Sequence, residues 1–246
     1  MSAVLLSLSA AFAHKPSFST GQHSSPESAF WVADPEVSIV LYHEVTCETP
    51  QLWMQLWLDP ALPLYVQLGV PVIDRLSDHR PSMAILGPGL PEIDVPFEIP
   101  DGLGGILIET DAVAESDEFY EPFSKTESWV LHEETLTLPE AGLGYIVAWD
   151  PTDTTGKLWV AVGTREDFTS DDLDSMADWL DQTQAYHESG DYEGTGPAEE
   201  QECATAAVGE DAGEGKAAGC AVVSGTGRVG ALLVTLGLLG LRRRSR

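Results

Sequence analysis

Short runs in which apolar and polar positions alternate fill the chain from Val37 to Gly163. "VSIVLYHEV" (37–45), "QLWMQLWL" (51–58), "PLYVQLGV" (63–70) and "SMAILG" (82–87) form a first group. "SWVLHEETLTL" (128–138), "GYIVAWD" (144–150) and "KLWVAVG" (157–163) form a second. Successive side chains of a strand point to opposite faces, so a period of two predicts strands with one face on a core. Proline and glycine punctuate the runs, as in the turn "PGLP" (88–91). On "GYIVAWD", Tyr145, Val147 and Trp149 share one face while Ile146 and Ala148 share the other. Both faces are apolar, which predicts a central strand. Many short strands between frequent turns predict a mainly β fold, an antiparallel β-sandwich.

One stretch has the helical period instead. "FTSDDLDSMADWLDQ" (168–182) offers Thr169 or Ser170 as N-cap and Asp171 and Asp172 in the first turn. Leu173, Met176 and Leu180 then fall on one stripe beside Trp179, and that stripe is expected to pack on the sandwich.

The two ends follow other rules. Ala3–Ala13 is an apolar run closing in Ala11-Phe12-Ala13, the small-x-small pattern of a signal-peptidase site. Residues 1–13 are expected to be a signal peptide, with a mature chain starting at His14. At the other end, Val229–Leu241 would make about 20 Å of helix against about 30 Å of hydrocarbon. Extension back to Ala221 reaches spanning length but encloses Arg228. Arg242, Arg243, Arg244 and Arg246 should remain cytoplasmic, which puts the body of the chain on the other side. Between helix and tail, residues 182–219 are dominated by Gly, Ala, Glu and Asp, with few bulky apolar side chains. Such a segment buries too little to offset its ordering entropy and is expected to be an extended acidic stalk. The division is therefore 1–13 signal peptide, 14–181 sandwich, 182–219 stalk and 220–246 sorting tail.

Composition adds limits. The formal net charge of −28 opposes nucleic acid and anionic lipid as partners. Trp31, Trp53, Trp57, Trp129, Trp149, Trp159 and Trp179 all lie in the 14–181 region, where aromatics of this size are expected to supply much of the buried area. The cysteines are Cys47, Cys203 and Cys220, without a CxxC pair. In an oxidising compartment Cys47 could pair with Cys203; two free thiols is the simpler expectation.

Cys220, the glycine-containing apolar run and the terminal arginines together resemble the MYXO-CTERM sorting tail of myxobacterial surface proteins. This resemblance covers about the last 28 residues. It implies recognition by a rhomboid-like protease, lipid on Cys220 and display at the outer membrane, with Arg242, Arg243 and Arg244 in the sorting signal. Tails of this kind often carry a cysteine pair, whereas Cys220 stands alone after Gly219. In the body of the chain, "LYVQLGVP", "RPSMAILGPGLP", "FYEPF", "SWVL", "LPEAG" and "GKLWVAVG" resemble a scattered group of secreted or membrane-linked proteins without assigned activity, and the ending "LPEAGLGYIVAW" with "GKLWVAVG" also resembles bacterial PPC-type (pre-peptidase C-terminal) domains. That similarity spans about Val37–Gly163 and implies a small, jelly-roll-like β-sandwich attached to secreted proteins. It carries no catalytic residue over.

Candidate chemistry is sparse. His43-Glu44, His132-Glu133 and His187-Glu188 lack the second histidine four residues on that a zincin needs, and there is no GxSxG. The glycines of "GLGG" (102–105) precede no helical pattern, so no dinucleotide loop is expected. A mature N-terminal His14 would offer an amine and an imidazole to copper, an arrangement similar to that of lytic polysaccharide monooxygenases, with His43 or His79 as a second ligand. Calcium could use Asp150 and Asp153 in "DPTDTTG", or Glu115, Asp117 and Glu118; isolated surface acids are the simpler account. The aromatics of "FYEPF" (119–123) are expected in the core more than on a ligand face. The sequence thus points to a surface-anchored binding or adhesion module without catalysis of its own, its partner an envelope or extracellular glycan or protein. A copper protein built on His14 and a purely structural envelope protein are the alternatives.

Overall fold

The computed structural model describes residues 14–114, 116–189 and 203, and of Asp117 only the backbone. The expected signal peptide (1–13), Glu115, most of the expected stalk, and the expected sorting tail with Cys220, Arg242, Arg243 and Arg244 lie outside the described residues. Among the described residues no helix is long and apolar enough to cross a membrane.

The described residues form a mainly β structure of two mixed sheets and one α-helix. The first sheet holds β1 (Lys15–Ser19), β3 (Ile39–Val45), β5 (Leu64–Pro71), β8 (Asp117–Glu121), β9 (Thr126–Leu136) and β11 (Gly156–Val162), in the order β1-β3-β11-β5-β9-β8. The second holds β2 (Phe30–Val32), β4 (Gln51–Leu58), β6 (Ser82–Gly87), β7 (Gly104–Ile108) and β10 (Gly142–Trp149), in the order β2-β4-β10-β6-β7. The helix, α1, spans Ser170–Tyr186.

One core draws on both sheets. Leu41, Val45, Leu64, Val66, Leu68, Leu158, Val160 and Val162 of the first meet Leu52, Met54, Leu56, Leu58, Met83, Ile85, Ile146 and Ala148 of the second. These are alternate residues of their strands, as the period of two requires. Each Leu, Ile, Val or Met among them contributes about 1.5–3 kcal/mol when fully buried. β10 lies between β4 and β6, and both its faces are apolar because Ile146 and Ala148 pack into this core while Tyr145, Val147 and Trp149 are packed among apolar side chains on the other side.

The strands are not all antiparallel as expected. β1 pairs with β3 and β2 with β4 in parallel register. The chain crosses from the first sheet to the second between β1 and β2, and again between β3 and β4. The two crossings run side by side in the same direction, so their strands pair in parallel.

Each sheet also has an outer face, and each is covered differently. Over the second sheet runs an irregular strap, residues 88–103. Its Ile93, Val95, Phe97, Ile99 and Leu103 pack on Trp53, Ala84, Leu86, Tyr145, Val147 and Trp149. Phe97 stands edge-on between Trp53 and Trp149, with ring centroids 5.2 and 5.1 Å away. Gly104 and Gly105, from the "GLGG" run, let the strap approach β7. A Cβ at Gly104 would lie 2.0 Å from the Leu90 carbonyl oxygen, and Gly105 N–H donates to Pro91 at 2.7 Å.

Over the first sheet lies α1. Thr169 caps it: Thr169 Oγ1 accepts from Asp172 N–H, and Thr169 N–H donates to the Asp172 carboxylate at 2.6 Å. The expected stripe is not what seats it. Leu173 is exposed and Met176, Trp179 and Leu180 are half-buried; the buried residues are Thr183 and Tyr186. The helix therefore runs past the expected boundary at 181. Residues 182–189 are attached to the sheet rather than opening the stalk, because Tyr186, His187 and Glu188 find partners on it.

Candidate functional site

On β4 the alternation sends Leu52, Met54, Leu56 and Leu58 inward and Trp53, Gln55 and Trp57 outward. The strap covers Trp53 and stops short of Trp57. On the neighbouring strands Trp31, Leu143 and Tyr145 point the same way. Register places Trp31 and Tyr145 on either side of Gln55, and Leu143 beside Trp57. Trp31 and Trp57 are thus diagonal neighbours, about 7–8 Å apart at the backbone. Trp31 is 52% and Trp57 57% exposed, which corrects the expectation that all seven tryptophans serve the core. Between them Gln55 Nε2 donates to Tyr145 Oη at 3.2 Å. Trp31, Gln55, Trp57 and Leu143 make an open platform without a formal charge, bordered by the buried Tyr145, in a chain of net charge −28.

Sequence reasoning missed this face. The alternation of Trp53, Gln55 and Trp57 shows that they share a side. It does not show that an irregular segment shields one tryptophan and leaves the other open.

The histidines proposed for copper do not meet. His14 Nδ1 is 2.6 Å from Ser38 Oγ beside β3, and burial lowers its pKa to about 4. His43 lies 3.1 Å from the Thr49 carbonyl oxygen and 3.3 Å from Ser19 Oγ, on the side of β3 that carries Leu41 and Val45. Burial lowers its pKa likewise to about 4. His79 pairs with Asp150 at 2.9 Å at one end of the sheets. Among the described residues no group of three or more His, Cys, Asp or Glu is placed to hold a metal ion.

The proposed calcium loop is already engaged. Asp150 Oδ1 accepts from Thr152 N–H at 2.6 Å and from Thr152 Oγ1, and Oδ2 meets His79. Burial alone would raise the Asp150 carboxyl, but hydrogen bonds from His79 and Thr152 outweigh it and hold it at about 2. Asp153 turns the backbone at φ 55°, and its carbonyl accepts from Cys203 N–H at 2.9 Å. Cys203 is disulfide-bonded to Cys47, with Cα atoms 5.3 Å apart. That bridge fixes residue 203 where β3 ends, beside the Asp150 loop.

A serine–histidine pair that sequence spacing does not reveal lies under α1. Trp159 Nε1 donates to Ser128 Oγ at 3.2 Å, and Ser128 Oγ lies 3.0 Å from His187 Nε2. His187 Nδ1 lies 2.8 Å from the Thr183 carbonyl oxygen, which makes Nδ1 the donor and Nε2 the acceptor. Burial, with a smaller contribution from Lys157, lowers the His187 pKa to about 4. The pair, buried beneath α1 beside a cavity of about 50 Å³, ties the end of the helix to β9. The aromatics of "FYEPF" are not core. Phe119, Tyr120 and Phe123 are exposed on and beside β8, an edge strand.

No known protein-family model matches the chain, and no curated protein does.

Proposed function

We propose that the chain is an exported protein held at the cell surface, and that residues 14–189 are a non-catalytic binding module. In this reading the two sheets are a β-sandwich of the jelly-roll, PPC-like kind. The acidic segment after it is a stalk, and a rhomboid-like protease processes the tail for lipidation at Cys220. The observation that carries the binding role is the open Trp31–Trp57 platform. Two neighbouring tryptophans more than half exposed leave apolar area in water that a partner can cover. The signal-like start, the Cys220 tail and the Cys47–Cys203 bridge support export to an oxidising compartment.

The test is retention of the purified mature chain on washed cell envelopes. Wild type should bind saturably, and the double variant Trp31→Ala/Trp57→Ala should lose at least tenfold in affinity. Equal retention of both would remove the platform from the function.

A further inference from the structure

We infer that the occupant of the platform is a neutral glycan chain. The inference rests on the platform being the ligand face and adds the chemical class of the ligand.

Three features select that class. The first is charge. Trp31, Gln55, Trp57, Leu143 and Tyr145 carry no formal charge, while the molecule as a whole carries −28. Acidic glycans, nucleic acids and anionic lipid are repelled at long range. The platform residues themselves offer a basic protein no carboxylate; Glu36 and Asp59 line the crevice beside Trp57, at its margin. An uncharged, hydroxyl-rich ligand meets neither obstacle.

The second feature is shape. The platform is the outward side of three paired strands, and Trp57 borders a crevice of only about 10 Å³. A sheet face with so small a crevice does not enclose a small molecule, and leaves room for an extended polymer lying along it.

The third is the chemistry of what lies between the rings. An indole face carries partial negative charge and attracts the polarised C–H bonds on one face of a pyranose. Sugar hydroxyls around the ring then need hydrogen-bond partners. Gln55, opposite Trp31 and two residues before Trp57, is oriented by its bond to Tyr145 Oη, and its carbonyl oxygen has no partner among the described residues. The two indoles thus flank the amide from two directions, Trp31 across the strands and Trp57 along β4, and together offer a sugar both apolar ring faces and a hydroxyl partner. A purely apolar partner would bury the Gln55 amide against carbon, at a cost of about 1–3 kcal/mol.

The experiment uses the full mature chain and the envelope preparation in two treated forms. Protease digestion removes proteins; periodate cleaves the vicinal diols of sugars. Alongside, soluble neutral β-glucan, xylan and galactomannan are compared with heparin in affinity electrophoresis. Binding should survive protease and fall at least tenfold with periodate. At least one neutral polysaccharide should retard the wild type, Trp57→Ala should abolish that retardation, Gln55→Ala should weaken it severalfold, and heparin should have no effect. Binding lost with protease and kept after periodate would overturn the glycan assignment while leaving the platform as a protein-binding face. Concentration-dependent dimerisation removed by Trp57→Ala would overturn it in favour of a second copy of the chain. Retention by treated envelopes that ignores both tryptophans would overturn the function reading as well.

Discussion

The two outer faces of the molecule are closed by different means. On the second sheet the strap is held by apolar contact: Phe97 sits between Trp53 and Trp149, with Ile93, Val95 and Ile99 beside it. On the first, α1 is held mostly by polar ties. Lys157 Nζ donates to the Tyr186 carbonyl at 2.7 Å and to Glu188 at 2.9 Å, and Arg75 grips Glu188 with two bonds of 2.8 and 2.6 Å. Tyr186 Oη reaches the Leu158 and His43 carbonyls, His187 reaches Ser128, and Lys15 pairs with Asp172. Apolar contact is indifferent to pH and tolerates an irregular backbone. Polar ties fix orientation but depend on the protonation of the groups that make them. The contrast shows why a segment without regular structure can cover tryptophans, while a helix with a weak apolar stripe needs charged and aromatic anchors.

The largest expected effect follows from that difference. His14, His43 and His187 all serve the first sheet or α1, and burial lowers each from 6.5 to about 4. Between those values the unfolded chain binds protons that the folded chain refuses. Stability is therefore complete above pH 6.5, falls as pH drops, and the loss is complete near pH 4. One such histidine accounts for about 3 kcal/mol over that window. The charges facing them do not alter the sign: Glu133 and Glu166 act on His14, Lys157 on His187, and His23 on His43. The strap contains no histidine. Hydrogen exchange, corrected for intrinsic rates, should show α1 losing protection at pH 5 while the strap keeps it. Equal loss at both faces would break the comparison.

The next effect belongs to the strap. Phe97→Ala removes an aromatic ring wedged between two indoles, and because Phe97 is half-buried the cost should be about 2–3 kcal/mol. The loss should be the same at pH 7.5 and pH 5.5 in denaturant titrations. A strongly pH-dependent loss would mean that the strap, too, is held by polar ties.

Smaller again is Tyr186→Phe. The hydroxyl is buried and its one proton is shared between two carbonyls, so its removal should cost about 1–1.5 kcal/mol. The ring, packed on Tyr42 at 4.7 Å, stays in place. Hydrogen exchange should place the loss in α1, and a loss spread evenly over both sheets would argue against the tie.

The strands with clean alternation were legible, because half-buried β structure leaves a period-two trace whatever its neighbours are. The edge strands β1, β2, β7 and β8 were not. They are short, and β2 has only Phe30, Trp31 and Val32 to show a period. The expectation of antiparallel pairing throughout fails at β1–β3 and β2–β4, since pattern alone does not distinguish parallel from antiparallel partners. "EIDVPFEIP" does alternate, but its prolines remove ladder donors, and it became a strap instead of a strand. The site was legible only in part. Sequence alternation groups Trp53 with Trp57, and tertiary packing alone decides that the first is buried and the second open.

That split supports the smallest stability effect, and it sharpens the contrast furthest. Trp53 and Trp57 lie four residues apart on the same side of β4, yet one is 1% and the other 57% exposed. Trp57 has Leu143 opposite it and no strap above, so truncation leaves no cavity that the core must close. Trp57→Ala should therefore change unfolding free energy by no more than about 0.5 kcal/mol, whereas Trp53→Ala should cost about 3–5 kcal/mol. Paired denaturant curves check this directly. If Trp57→Ala were as costly as Trp53→Ala, the platform would be part of the fold and loss of binding in that variant would say nothing about a ligand. With the fold unchanged, any loss of envelope retention in Trp57→Ala is assigned to the ring that the solvent-facing side of β4 presents.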